Sequence, residues 1–218
     1  VGLTNGKRLS EEKNADGTTT SRWEVTYPIN NYLVSVNIAP YVPIEATYNG
    51  IDGTLDEKIL FWALPEHAEK ARAMWKQAPK MLEVLGRRFG EYPFLRDKYW
   101  VVETPYLGME HQTIVAYGAD FEDNKFGFDS LLLHETAHEW WGNKITAADW
   151  GDFWIHEGFG TYAEAIFVND TLGVEKYLEY MRRPRRHLGN RQPIVQGRDL
   201  TAGAAYVGDI YGKGALVL

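Results

Sequence analysis

Ser130-Leu131-Leu132-Leu133-His134-Glu135-Thr136-Ala137-His138-Glu139-Trp140-Trp141-Gly142-Asn143 is the stretch on which the fold turns, and eighteen residues separate His138 from Glu157 in Trp154-Ile155-His156-Glu157-Gly158-Phe159. An α-helix advances about 100° per residue, so His134 and His138 sit roughly 40° apart around the axis and one turn apart along it. Both imidazoles leave the same face and can converge on one ion. Glu135 is offset to the side of that face, within reach of a water on the ion without being a ligand, which suits a general base. HExxH alone has a bland alternative, an exposed helix rich in Glu and His. That alternative is weakened by Leu131, Leu132 and Leu133 on one side and Trp140 and Trp141 on the other. Ionisable groups in so apolar a helix are costly unless something pairs with them, and a metal ion does.

The chain has no cysteine, so any metal is held by histidine and carboxylate. A catalytic zinc usually keeps three protein ligands and one open position. Glu157 is the candidate third ligand, since the intervening residues allow a loop and an antiparallel return. Two alternatives stay open: His156 as the ligand, or Glu157 as a first-turn carboxylate stabilised by the helix dipole. Glu164, two turns further on, is a partner for a metal-bound imidazole or a surface salt bridge.

Outward from this stretch the texture is α+β. Residues 1–55 are rich in Thr, Tyr, Val, Asn and Gly, with alternation over Tyr32-Leu33-Val34-Ser35-Val36-Asn37-Ile38, and read as strands. The change of texture at Asp52-Gly53-Thr54 places a domain boundary there, giving units of 1–55 and 56–218. Helical spacing begins at Leu64-Pro65-Glu66, with Ala71, Met74 and Trp75 on one face. Pro79 kinks that helix or starts a second one carrying Met81, Leu82, Val84, Leu85 and Phe89. Lys98–Thr104 and Thr113–Tyr117 read as strands flanking a site-forming loop. Helices are expected from Ser130, over His156–Asn169 and over Val174–Arg182, forming a small sheet followed by a mainly helical region.

The 218 residues suffice for one good core or parts of two, and a net charge of -7 argues against a nucleic-acid partner. Arg182, Arg183, Arg185, Arg186 and His187 around Pro184 read as a solvated surface turn. No apolar run reaches the roughly 20 residues of a membrane-spanning helix, and no signal-peptide layout opens the chain. The compartment is left open. A start at Val1 and an apolar finish lead us to expect a piece of a longer protein.

The two quoted elements together resemble the gluzincin aminopeptidases, the aminopeptidase N and leukotriene hydrolase family. Leu107-Gly108-Met109-Glu110-His111, 23 residues before the HExxH run, resembles the family's exopeptidase element, and Tyr211-Gly212-Lys213-Gly214-Ala215, with Tyr206 five residues earlier, resembles its Tyr-x-Lys-Gly segment. The resemblance covers nearly the whole chain. It implies the end of an N-terminal β domain followed by a thermolysin-like catalytic domain incomplete at its C-terminus, with the remaining N- and C-terminal domains supplied by the same longer chain. It further implies one zinc ion per chain on His134, His138 and Glu157, with Glu135 as the base that activates water. Glu110 would hold the free α-amine of a peptide, Tyr211 would stabilise the oxyanion, and Gly108, Met109, His111 and Tyr206 would border the substrate. Each role has a physical basis. Zinc brings the pKa of its water from 15.7 toward about 7. An α-amine of pKa about 7.7–8.0 is mostly cationic, so a buried carboxylate selects it.

Leu107 and His111 depart from the family's usual glycine and asparagine, which alters the first specificity pocket and places a group of near-neutral pKa in it. Two other functions remain beside the aminopeptidase: a related zinc hydrolase, either an endopeptidase or an epoxide-opening enzyme, and a scaffold that has lost its chemistry. Glu110 favours trimming from the N-terminus, and intact Glu135 and Tyr211 argue against the scaffold. In isolation the chain is expected to be structurally competent without efficient catalysis.

Overall fold

The computed structural model describes residues 1–186 and 188–218. Its chain begins with β1 (Gly2–Thr4), β2 (Lys7–Lys13), β3 (Thr19–Glu24) and β4 (Val36–Ile38), where β1 pairs with β4 and β2 with β3. β5 (Val42–Tyr48) and β6 (Glu57–Ala63) follow, then α1 (Ala68–Trp75) and α2 (Ala78–Phe89). β7 (Trp100–Glu103), β8 (Gly108–Met109) and β9 (Ile114–Tyr117) complete a mixed sheet of order β5-β6-β7-β9-β8. The helical part consists of α3 (Ser130–Ala137), α4 (Trp154–Leu172), α5 (Val174–Arg186), α6 (Ala202–Ala205) and α7 (Asp209–Val217).

The central strands β6, β7 and β9 run parallel and are almost wholly apolar, as strands covered on both faces must be. Alternation divides them between two cores. Phe61, Val101, Val115 and Tyr117 face α1, α2 and α3, the helix of the HExxH run, in a cluster with Trp75, Met81, Leu85, Leu132 and Trp140. Leu60, Trp62, Val102 and Ile114 face the other way, onto Leu3 and Tyr41 of the N-terminal segment. Lys98 fastens that second layer: its ammonium lies over the rings of Trp23 and Trp100 at 4.4 and 4.3 Å and donates to the Thr4 carbonyl at 2.6 Å. Burial pushes the Lys98 pKa well down.

Pro79 starts the second helix, standing in the first turn of α2 where its missing N–H costs nothing. Four expectations are corrected. The turn around Asp52-Gly53-Thr54 joins β5 to β6, which pair residue for residue from Val42↔Ala63 to Tyr48↔Glu57, so a division at residue 55 would cut a hairpin of one sheet. Glycine and aspartate there signal a turn, not a linker. Of Tyr32–Ile38, only Val36–Ile38 is strand, preceded by a 3-10 turn at Asn31–Leu33 that sends Leu33 into the interior. In β4 the alternation is inverted, with Val36 and Ile38 exposed and Asn37 buried. The helix expected to stop at Arg182 continues through Pro184 to Arg186, so Arg182, Arg183, Arg185 and Arg186 lie on a helix rather than a turn. So near the helix end, proline forfeits little more than the bond to Tyr180. His187 lies outside the described residues.

The helix expected over His156–Asn169 spans Trp154–Leu172 and is the spine of the helical part, touching α3, α5 and α7. Its crossing with α7 depends on two glycines: a Cβ on Gly214 would lie 2.9 Å from the Gly158 Cα, and one on Gly158 would lie 3.0 Å from the Gly214 Cα. No side chain fits at that approach without moving a backbone. Gly214→Val is therefore expected to lower stability by about 1–3 kcal/mol in urea denaturation. Gly212→Ala on the same helix, where a Cβ meets nothing nearer than 3.4 Å, should leave it unchanged or slightly raised.

Candidate functional site

The site begins with how α3 is started and ended. Asp129 caps its N-terminus, accepting from the Leu132 amide at 2.9 Å, and is itself held by the Tyr117 hydroxyl from the last residue of β9. At the other end His138 is the C-cap residue but keeps helical angles (φ -64°, ψ -19°), so the one-turn spacing of the imidazoles is preserved. Glu157 comes from the first turn of α4. The His134, His138 and Glu157 ligand atoms all lie within 4.8 Å of one another.

The tautomers follow from the outer contacts. His138 Nδ1 stands 2.9 Å from the Trp141 carbonyl, which can only accept, so the ring proton is on Nδ1 and the Nε2 lone pair points inward. His134 Nδ1 stands 2.9 Å from Glu164 Oε1, with the same consequence. The two Nε2 atoms are 3.1 Å apart, and Glu157 Oε2 is 3.2 Å from one and 3.4 Å from the other. Three electron-rich atoms turned on one another in a buried place call for a cation, so the donor set suits a metal ion. Burial disfavours charge on both imidazoles, but Glu157 outweighs it and raises their pKa values, that of His138 to about 9. Burial likewise opposes the charge on Glu157, yet the two imidazoles bring its pKa well below the usual carboxylate range.

His156 is not part of this cluster. Its Nε2 accepts from the Ala147 amide at 2.9 Å, so Nδ1 bears the proton, and that atom faces the Tyr32 hydroxyl at 3.4 Å and Glu110 Oε1 at 3.9 Å. Glu164 is partly buried between His134 and the Tyr180 hydroxyl, which donates to it, and is no surface salt bridge.

Glu135 is buried, and burial, opposed by the two imidazoles, raises its pKa to about 7. Gly108 passes directly over it: a Cβ there would lie 2.6 Å from Glu135 Oε1. Gly108 and Met109 form the edge strand β8, paired to Tyr117 and Ala116, and deliver Glu110 to the interior, where it is 3% exposed. The Tyr32 hydroxyl donates to Glu110 Oε1 at 3.3 Å. Burial opposes the Glu110 charge, but His156 and His138 outweigh it, so its pKa falls and it is a carboxylate at neutral pH. Burial pushes the His111 pKa down from its ordinary value, against the charge of Glu110, which favours the neutral ring. The Tyr211 ring stacks at 22° on that of His134, centroids 6.3 Å apart. Burial and the Glu157 charge raise its pKa, so it stays a phenol and a donor. Tyr206 is 40% exposed and packs on Phe153 at 4.8 Å. A cleft of about 690 Å³ bounded by Leu107, Leu131, His134, Thr161, Glu164 and Tyr211 opens beside the triad, within the range of small-ligand sites.

Sequence reasoning missed Tyr32, which reaches Glu110 from a segment 78 residues away. It also missed Gly160, where a Cβ would stand 2.9 Å from His138 Cε1 and 3.2 Å from His134 Cε1. The Gly158-Phe159-Gly160 pair of glycines inside a long helix was the available signal.

Paired imidazoles on one helix, completed by a carboxylate from the next and backed by a second carboxylate, form a candidate metal centre on an α+β scaffold. Residues 75–218 match the model of the peptidase family M1 domain, and the chain belongs to that family. Over 178 residues it is 27% identical to endoplasmic reticulum aminopeptidase 1 of Mus musculus, covering 75% of this chain and 18% of that protein. Among solved structures it resembles the M1 zinc metallopeptidase from Deinococcus radiodurans, with TM-score 0.77 and 22% identity over 99% of this chain and 47% of the other. It also resembles Legionella pneumophila aminopeptidase A in complex with aspartic acid, with TM-score 0.83 and 18% identity over 99% of this chain and 26% of the other. At those identities the likeness is one of fold. The chain spans about a fifth of the length of the curated relatives it matches.

Zinc should therefore bind the folded chain and raise its thermal midpoint, by the equivalent of about 2.7 kcal/mol at a hundredfold excess over Kd. In Gly160→Ala the added methyl presses on both imidazoles, so differential scanning calorimetry should find most of that zinc-dependent shift gone, over and above any lowering of the metal-free midpoint.

Proposed function

We propose that this chain is the core of a zinc-dependent aminopeptidase, with one zinc ion held by His134, His138 and Glu157. The observation that carries the reading is the inward pair of Nε2 lone pairs closed by Glu157, with a buried carboxylate, Glu110, beside it. When bound, zinc supplies the Lewis acidity that polarises a scissile carbonyl and makes a water nucleophilic at neutral pH.

The remaining work falls to the chain's own side chains. Glu164 fixes the His134 tautomer through Nδ1, and the Trp141 carbonyl does the same for His138. Glu135, its pKa near the working pH, takes a proton from the attacking water on a carboxylate oxygen and returns it to the departing amine. Tyr211 donates its phenolic proton in a hydrogen bond to the developing oxyanion. Glu110, ionised and enclosed, pairs with the cationic α-amine of a peptide and so fixes the cut one residue from the N-terminus. Tyr32 holds Glu110 Oε1 from the N-terminal side. Gly108 lets the β8 backbone lie beside Glu135, and Met109, His111 and Tyr206 border the first residue of the substrate. Substrates are peptides with a free N-terminus. In this reading the β1–β4 segment is the end of a preceding β domain, and the pairing of β5 with β6 supports counting both strands with the catalytic unit.

Two outcomes test this in the natural full-length protein. Glu135→Gln keeps its zinc, measured by atomic absorption, and loses hydrolysis of aminoacyl reporter substrates by about 10²-fold or more; turnover within a few-fold of the parent would remove Glu135 as the base. Acetylating the N-terminus of a peptide substrate abolishes its cleavage, followed by mass spectrometry. Equal rates on free and acetylated peptides would make the enzyme an endopeptidase.

A further inference from the structure

The loop that carries Glu110 contains a strained residue. Thr113 has φ of +64°, in the left-handed region where a β-branched side chain is an outlier. Such a conformation is unfavourable and persists only where its surroundings over-determine it. Here they do. The Thr113 amide donates to Glu139 Oε1 at 2.8 Å, its hydroxyl oxygen accepts from the Gly6 amide at 2.9 Å, and its carbonyl accepts from Trp100 at 3.2 Å. The preceding carbonyl, of Gln112, accepts from Asn5 Nδ2 at 2.6 Å, and that of Glu110 from Asn143 Nδ2 at 2.9 Å.

Glu139 is the unexpected member of this set. It follows His138 directly, has no exposed surface, and makes no salt bridge among the described residues. Its second oxygen lies 3.0 Å from the Tyr92 hydroxyl, which also lies 2.8 Å from the Lys98 carbonyl. Tyr92 has one proton for those two acceptors. A glutamine in place of Glu139 would satisfy everything: its carbonyl accepts from Thr113, its amide donates to Tyr92, and Tyr92 donates to Lys98. An aliphatic residue would leave the Thr113 amide unpaired and the strain unsupported.

We propose that Glu139 is a positioning residue that holds Thr113 in its left-handed turn and thereby fixes where Glu110 stands relative to the His134, His138 and Glu157 triad. One residue past a ligand, on the same stretch of chain, it transmits the place of the metal centre to the loop that reads the substrate's end. It acts on substrate registration rather than on the chemical step. The consequence for turnover rests on the function proposed above; the mechanical coupling does not.

The test uses three variants of the natural full-length protein. Hydrogen exchange of the peptide covering residues 108–117 should be faster in Glu139→Leu than in the parent and unchanged in Glu139→Gln, with zinc content equal in all. KM for aminoacyl substrates should rise about 10- to 100-fold in Glu139→Leu with kcat within a few-fold, and return to the parent value in Glu139→Gln. Adding Thr113→Gly to Glu139→Leu removes the strain and should recover most of the lost KM, a coupling that a general loss of packing would not give. Exchange at 108–117 unaltered by Glu139→Leu would overturn the proposal whatever the activity. So would a Gln variant as impaired as the Leu variant, or a kcat loss at constant KM. Failure of the parent itself to distinguish free from acetylated peptides would instead count against the aminopeptidase reading and leave the exchange result to decide this one.

Discussion

Three electron-rich atoms facing one another at 3.1 to 3.4 Å, the Nε2 atoms of His134 and His138 and Glu157 Oε2, are the constraint on which the rest of the structure depends. A pair of buried lone pairs and a carboxylate repel unless a cation or protons intervene, so the fold has to hold them there against that repulsion. It does so from behind. Asp129 anchors the start of α3, Glu164 and the Trp141 carbonyl take the outer ring protons, and Gly160 removes the side chain that would otherwise stand between the rings. The glycine contact of Gly158 with Gly214 then brings α7, and Tyr211 with it, onto the same face of α4.

The second carboxylate group of the site is placed by different means. Glu110 arrives from the edge of the sheet, and its setting is made jointly by β8, by the segment after α3 and by residues from the first thirty-odd of the chain. Asn5, Gly6 and Tyr32 all reach into it. The N-terminal strands are therefore not only a cover for Leu60, Trp62 and Ile114. They hold the loop that would recognise a substrate's end, and Lys98, buried between two tryptophans, fastens the two layers.

How much of this was legible in the sequence follows from the range of the interactions. The imidazole pair is a local matter of helical spacing, so His134 and His138 could be read as a pair from one short stretch, while the third position stayed open between Glu157 and His156. Pro79 could be read only as a kink or a helix start, and the structure makes it a helix start. Tyr32 on Glu110 and Glu139 on Thr113 could not be read, because each depends on a partner many residues away that no periodicity announces, whereas the hairpin across Asp52-Gly53-Thr54 had a local turn signal that also fits a linker. The inverted face of β4 shows the same limit: alternation gives the two sides of a strand but not which side is inward. Glu157 and His156, adjacent in the chain, were separable only by seeing that the Ala147 amide already occupies one nitrogen of His156.

Zinc K-edge X-ray absorption on the metal-loaded protein tests the central claim most directly. The account predicts two imidazole nitrogens at about 2.0–2.1 Å and carboxylate oxygen at about 2.0–2.2 Å, with one nitrogen lost in His138→Ala and the spectrum unchanged in His156→Ala. A zinc shell that keeps both nitrogens in His138→Ala, or loses one in His156→Ala, would contradict it.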